Sequence, residues 1–299
     1  MGQRVAITGA SGMIGGALSS YLTGRGDDVV HLVRREERTP AEIRWDPATR
    51  TLDPSRLRGL DAVVNLAGAN VGAKRWSDAF RHEIFASRVD STATLAAALA
   101  ESGAPVRLVN ASAVGFYGDR GEEILTEASP AGQGFLSEVV RGWEAAAEPA
   151  RQAGLSVALA RSGLVFGPHD GALPPLLRLA RLGLGGPLGS GRQWWPWISL
   201  VDEVRALAHL IDHPDVVGPV NVVGPTPTPQ KDVAAELGRQ LHRPAILPAP
   251  GLALRLVAGG IAEDILASQR VEPVRLRESG FEYEHDTLAK AISWVLSQP

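Results

Sequence analysis

The 299-residue sequence contains no cysteine. That absence removes disulfides, thiolate nucleophiles and Cys-based zinc sites together, and it suits a reducing compartment, so a cytoplasmic protein is expected. An excess of one charge is also missing. Lys and Arg total 30 against 33 Asp and Glu, for a formal net charge of −3, and the basic residues form no runs. Neither a nucleic-acid groove nor a polybasic membrane patch is expected, and the ligand should be a small molecule. Long apolar stretches are lacking too. The two most apolar later segments, Leu173 to Leu184 and Gly251 to Ile261, contain Arg178, Arg181 and Arg255 and fall short of the ~18 apolar residues of a membrane span, so they read as core helices. Met1-Gly2-Gln3-Arg4 leads into a strand-like run without the apolar stretch of a signal peptide, so no targeting segment is expected. The histidines are scattered. His209 and His213 have the i, i+4 spacing of a helix ligand pair, but no third ligand is evident and no metal site is expected. A hydrolase reading lacks its nucleophile elbow, since no Gly-x-Ser-x-Gly occurs.

What is present is an alternation of apolar runs. Val5 to Ile7, Asp28 to Arg34, Asp61 to Leu66, Arg107 to Ala111 and Ser156 to Val165 read as strands. About Gly12 to Leu22, Asp78 to Glu101 and Trp143 to Gln152 read as the helices between them. Residues 1–165 therefore predict a Rossmann-type, doubly wound parallel sheet of the α/β class. Prolines then multiply, at 168, 174, 175, 187 and 196. Residues 166–199 and 225–299 are expected to form a smaller, mostly helical C-terminal lobe on the substrate side, while residues 200–224 return to the sheet. Pro225 to Pro229 reads as a linker. The outer helices of such a sheet are where a homodimer would form.

Thr8-Gly9-Ala10-Ser11-Gly12-Met13-Ile14-Gly15 follows a predicted strand and opens a predicted helix, the context of a dinucleotide fingerprint. Gly9 permits the tight turn, Gly12 lets the backbone approach a pyrophosphate, and Gly15 allows close helix packing. Thr8, Ser11, Met13 and Ile14 complete this part of the expected cofactor site, with the phosphates at a helix N-terminus. An NAD-preferring site would end its second strand in Asp or Glu. Here that end reads Leu32-Val33-Arg34-Arg35, while Asp27 and Asp28 precede the strand. Arg34, with Arg35, can pair with a 2′-phosphate, so the expected cofactor is NADP(H).

The Gly-x-x-Gly-x-x-Gly spacing resembles that of the extended short-chain dehydrogenase/reductase superfamily. The resemblance implies a Tyr-x-x-x-Lys pair and a nearby Ser or Thr. The tyrosines are Tyr21, Tyr117 and Tyr283 and the lysines Lys74, Lys231 and Lys290, and no lysine lies four residues after a tyrosine. In the corresponding helix, Phe135 to Glu144, Leu136 or Phe135 stands where the Tyr belongs and Val140 or Val139 where the Lys belongs. Asn110 to Gly118 resembles the segment ending in Val-Tyr-Gly, so Ser112 and Tyr117 are the nearby hydroxyls. The competing reading has Tyr117 packed at the sheet edge and Ser112 capping the strand end.

Further strings resemble the "epimerase family protein" branch, whose C-terminal segment is a domain of unknown function. They are Asn65-Leu66-Ala67-Gly68-Ala69, Lys74-Arg75-Trp76, Ser87-Arg88-Val89, Arg161 to Gly167, Gly185 to Ile198, Gly218 to Asn221, Arg243-Pro244 and Gln269 to Pro273. The resemblance adds Leu66, Ala67, Gly68, Ser112, Arg161 and Gly163 to the expected cofactor-binding set, and it names no substrate. Gln193, Trp195 and Trp197 are expected to bind substrate, by indole stacking and an amide; tryptophans filling the seam between lobes are the competing reading. The sequence thus reads as an atypical NADP(H)-dependent oxidoreductase or epimerase. Hydride would move to or from a small polar substrate, with proton handling by Ser112, Tyr117, Lys74 or water. The alternative is a non-catalytic NADP(H)-binding sensor.

Overall fold

The computed structural model describes residues 2–299. Strand β1 (Arg4–Thr8) buries Val5, Ala6, Ile7 and Thr8 in succession, a run with no polar face, as a strand covered on both sides requires. It lies inside a sheet with β2 (Asp28–Val33), β3 (Glu42–Arg44), β4 (Ala62–Asn65), β5 (Arg107–Ala113), β6 (Val157–Ser162) and β7 (Gly218–Val222). The spatial order is β7-β6-β5-β4-β1-β2-β3, and every neighbouring pair is parallel. This is the doubly wound arrangement that the alternation predicts, with its crevice outside the carboxyl ends of the strands.

Helices α1 (Met13–Arg25), α2 (Asp78–Ser102), α3 (Phe135–Ala145), α4 (Glu148–Gln152), α5 (Leu173–Arg181) and α6 (Leu200–Asp212) follow in chain order. Leu18 and Leu22 of α1 join Leu207, Leu210 and Ile211 of α6 on one face of the sheet, against Val5, Ile7, Val64 and Val109. Leu95 and Leu99 of α2 pack with Ala150 of α4 on the other, against Ala6, Val63, Leu108 and Val157. Each such buried Leu, Ile or Val stabilises the fold by about 1.5–3 kcal/mol relative to exposure. A third cluster joins Phe166, Leu173, Leu177, Trp195 and Trp197 to α7 (Gln230–Leu241) through Val233 and Leu237. The chain continues in α8 (Gly251–Ala258), α9 (Ile261–Leu266), α10 (Val274–Glu278) and α11 (Leu288–Ser297).

Several boundaries differ from expectation, each with a local reason. The predicted helix 143–152 is two helices, broken at Ala146 and Ala147, because Pro149 at the start of α4 has no N–H to continue α3. The predicted strand 156–165 leaves the sheet at Gly163, whose Cβ, if present, would lie 2.0 Å from the Pro196 carbonyl oxygen. Leu164–Phe166 then pairs with Trp197–Ser199 instead. Thr228 and Pro229, expected in a linker, pair antiparallel with Trp195 and Trp194. The stretch 251–261 is not a core helix. It breaks at Gly259, whose φ is +63°, and exposes Leu252 and Leu256. The helix expected over 173–184 ends at Arg181 and leaves Leu182 and Leu184 exposed.

Candidate active site

The glycine turn has the shape the spacing predicts. Gly9 adopts φ +67°, and a Cβ there would come within 2.7 Å of the Leu66 carbonyl oxygen; at Gly15 it would lie 2.3 Å from that of Gly9. At Gly12 the nearest atom would be the Gly9 oxygen at 3.3 Å, and no other lies within 4 Å. Gly12 caps α1 without any side-chain hydrogen bond, and no acidic residue stands in the first turn. The N–H groups at the start of α1 are thus left to an anion, and the cradle fits a dinucleotide pyrophosphate. Thr8 supports it from beneath. Its buried hydroxyl donates to Asn65 Oδ1 at 2.7 Å and accepts from the Leu66 and Ala67 N–H groups, fixing the loop of Leu66, Ala67 and Gly68 to the turn. Met13 and Ile14 pack their side chains into the core, and Ser11 is exposed.

The two arginines after β2 have different fates. Arg35 makes a fork with Glu42 of β3, at 2.8 and 2.6 Å. That fork, helped by the Arg38 N–H, holds the Glu42 carboxyl down at about 2. Arg35 is therefore a tether between β2 and β3. Arg34 is exposed and, among the described residues, makes no hydrogen bond or ion pair, which leaves it as the cation available to a ligand.

Ser112, Tyr117 and Arg161 meet in one buried network. Ser112 donates to Glu144 Oε1 at 2.6 Å. Arg161 donates to both oxygens of Glu144, at 2.8 and 2.9 Å, and to Tyr117 Oη at 3.0 Å. Tyr117 in turn donates to Asn221 Oδ1 at 2.7 Å. The Arg161 guanidinium also lies 3.5 Å from the centre of the Phe116 ring. Tyr117 is fully buried, and burial pushes its hydroxyl pKa above the ordinary value. The network ties β5, α3, β6 and β7 together. Lys74 stands apart, exposed, paired with Glu83 at 3.4 Å and 5.2 Å from the centre of the Phe80 ring.

A cavity of about 200 Å³ opens at the carboxyl ends of β5 and β6, between Ala113, Val114, Ser162 and Gly163. Leu136 and Val140 of α3 line it. They lie four residues apart on one helix face, so the positions where the family signature places Tyr and Lys carry two apolar side chains. Ser112, Tyr117 and Lys74 are not among the lining residues. Of the aromatic string, Trp195 lines the cavity, with its indole N–H donated to the Ile265 carbonyl at 3.1 Å. Trp197 sits behind it, stacked near Phe166 with its N–H on Thr228, and Gln193 donates to the Leu188 carbonyl. Neither Trp197 nor Gln193 is among the residues that line the cavity.

Three polar groups at this cavity went unassigned as functional in the sequence. Arg88 projects from α2, donates to the Ile84 carbonyl, lies 5.1 Å from the Trp143 ring centre, and has no carboxylate within 4 Å among the described residues. Burial pulls its pKa down to about 10. Asp264 of α9 lines the cavity with no side-chain hydrogen bond among the described residues, and burial raises its carboxyl to about 6. Ser162 donates to Glu203 Oε1 at 2.5 Å; Glu203 is wholly buried, its second oxygen has no partner, and burial pushes it up to about 7. Arg88 was visible as part of Ser87-Arg88-Val89. Nothing in the sequence around Asp264 marked it. Among the described residues no helix is long and apolar enough to cross a membrane, and no group of three His, Cys, Asp or Glu is placed to hold a metal.

Comparison with known proteins agrees with this geometry. An epimerase family protein of Mycobacterium bovis is 42% identical over 296 residues, covering 99% of this chain and 98% of that protein. The crystal structure of the human epimerase family protein SDR39U1 (isoform 2) with NADPH superimposes with a TM-score of 0.90 at 34% identity, covering 98% of each chain. That of a nucleoside-diphosphate sugar epimerase from Corynebacterium glutamicum gives a TM-score of 0.82 at 36% identity, over 99% of this chain and 58% of that one. Residues 249–295 match a domain of unknown function, DUF1731. Residues 5–224, which contain the cradle and the seven-stranded sheet, match the NAD dependent epimerase/dehydratase family, and the chain belongs to that family.

Proposed function

We propose that the chain binds NADP(H) along the β1–α1 turn and acts as an oxidoreductase or epimerase on a small polar molecule held in the cavity at the ends of β5 and β6. The observation that carries this reading is the cavity itself, open between Gly163 and the Leu136–Val140 face of α3 at the carboxyl ends of the strands, where doubly wound sheets bind their ligands. Residues 1–165 with 200–224 form the cofactor side; residues 166–199 and 225–299 form the substrate side, contributing Trp195, Asp264 and Gln269.

The N–H groups of Met13 and Ile14 would face the pyrophosphate, and Arg34 the 2′-phosphate. The human relative whose structure holds NADPH supports this choice over NAD. When bound, the nicotinamide supplies or accepts a hydride. Leu136, Val140 and Trp143 give the cavity an apolar wall on the α3 side. Gly163 lines the cavity, and Thr8 fixes the loop of Leu66, Ala67 and Gly68 that would border the cofactor, while Ser112 and Arg161 brace the strands through Glu144. The sensor alternative draws on the absence of Ser112, Tyr117 and Lys74 from the cavity. The enzyme reading is preferred because Trp195 borders the cavity without filling it.

The test is a fluorescence titration with NADPH and NADH, repeated on Arg34→Ala. NADPH should bind the more tightly, and the variant should lose roughly 1.5–3 kcal/mol of that affinity with the charge-assisted hydrogen bonds. Equal affinity for both cofactors, untouched by the substitution, would remove the assignment.

A further inference from the structure

We propose that the cavity is a receptor for a small organic acid, with the ligand's carboxylate on Arg88 and its hydroxyl or carbonyl oxygen toward Asp264. This rests on the proposed function and names the substrate class of the same site. Arg88 is the starting point. A guanidinium withdrawn from water costs several kcal/mol unless a counter-charge meets it, yet its contacts among the described residues are one backbone carbonyl, that of Ile84, and the face of Trp143. Two buried arginines of the sheet are better provided. Arg161 has Glu144, and Arg107 has three backbone carbonyls and a serine hydroxyl. The Arg88 fork is thus left with donors to spare on a cavity wall, the arrangement that recognises a planar carboxylate in two-pronged fashion.

Two further observations fit an oxygen-bearing ligand. Among the described residues the Trp143 indole N–H, on the same wall, is buried without an acceptor. Asp264 enters from the second lobe, and among the described residues its carboxylate has no partner either. It makes no ion pair with Arg88, so the two groups address separate parts of a ligand instead of neutralising each other. The apolar remainder, Val71, Leu136, Val139 and Leu164, suits an aliphatic body.

The test uses the full chain loaded with NADP⁺ and three probes of matched size: 3-hydroxybutanoate, butanoate and the uncharged butanamide. Binding is followed by the NMR shifts of the arginine Nε–H and tryptophan Nε1–H groups, with the Arg88 and Trp143 signals assigned by substitution. The expected order is 3-hydroxybutanoate tighter than butanoate by fivefold or more, and butanamide at least tenfold weaker than butanoate. Arg88→Gln should abolish the preference for the acids over the amide, Arg88→Lys should restore part of it, and Asp264→Ala should remove the advantage of the hydroxy acid. NADPH affinity should stay within twofold in all three variants, which also confirms that they fold.

Equal binding of acid and amide, or no binding of either, overturns the proposal while leaving the cofactor reading intact. A tenfold loss of NADPH affinity in Arg88→Gln overturns it differently, by assigning the cation to the cofactor's own phosphates. If the unaltered chain fails to bind NADPH at all, the functional reading falls first.

Discussion

Replacing Glu144 by Gln keeps the shape of the buried network and removes its one negative charge. Arg161 is 3% exposed and Glu144 9%, so the guanidinium would keep one hydrogen bond to the Gln oxygen and one to Tyr117, with the amide NH2 opposing its other donor, and lose its counter-ion in a buried region. Breaking a buried pair from one side costs about 3–5 kcal/mol, because the surviving charge is left uncompensated. Two features of this site bear on where in that range the variant falls. The Phe116 ring at 3.5 Å and the Tyr117 hydroxyl at 3.0 Å still solvate Arg161, which favours the lower half, while Ser112 loses a charged acceptor, which raises the cost. A loss of roughly 3–4 kcal/mol follows. At ~2–4 °C per kcal/mol for a chain of this order of size, the melting temperature should fall by roughly 6–16 °C, read by differential scanning calorimetry at neutral pH. NADPH binding at a temperature well below the transition should be unchanged, since none of these side chains lines the cavity. A shift under 2 °C would refute the view that Glu144 and Arg161 hold β5, β6 and α3 together, and unchanged stability with lost cofactor binding would move them into the site.

Tyr117→Phe should cost about 1–3 kcal/mol by leaving Asn221 and Arg161 each short of a partner, with NADPH affinity preserved; loss of turnover without loss of stability would instead make Tyr117 the proton donor. Gly9→Ala forces a Cβ to 2.7 Å from the Leu66 carbonyl oxygen at φ +67°, so NADPH titration should show weakening of at least tenfold and chemical denaturation a stability loss of about 1–3 kcal/mol. Glu203 binds its proton more tightly folded, at about 7, than an unfolded glutamate at ~4.3. The folded state therefore holds the extra proton between these values, and stability should fall as pH rises through that window. Melting curves at pH 5.5 and 8 should show the drop in the native sequence and lose it in Glu203→Gln; an identical pH dependence in both would show that Glu203 is ionised when folded.

Much of the cofactor half was legible because its signals are local. A strand without a polar face, a glycine at a positive φ and a helix that begins bare at its N-terminus are settled within a dozen residues, from Arg4 to Gly15. The register of α3 was legible to within one residue from the run Phe135 to Glu144. Choosing Leu136 over Phe135 needed the cavity, which Leu136 lines and Phe135 does not, and Val140 then follows one turn on from Leu136. Arg34 and Arg35 looked equivalent at the end of β2. Their difference comes from Glu42 on a three-residue strand that the sequence pattern does not announce.

The sequence by itself determined the parallel sheet, the pyrophosphate cradle and the loss of the Tyr-x-x-x-Lys pair, since steric demands of glycine and residue identity need no partner to be read. Tertiary structure alone decided which polar groups are spent and which are free. Ser112 and Tyr117 are occupied by Glu144 and Asn221, 32 and 104 residues away along the chain, while Arg88 and Asp264, far apart in the chain, meet at one cavity with no charged partner among the described residues. Burial and charge pairing act through space, so the chemistry of this site is set by contacts that no local pattern encodes.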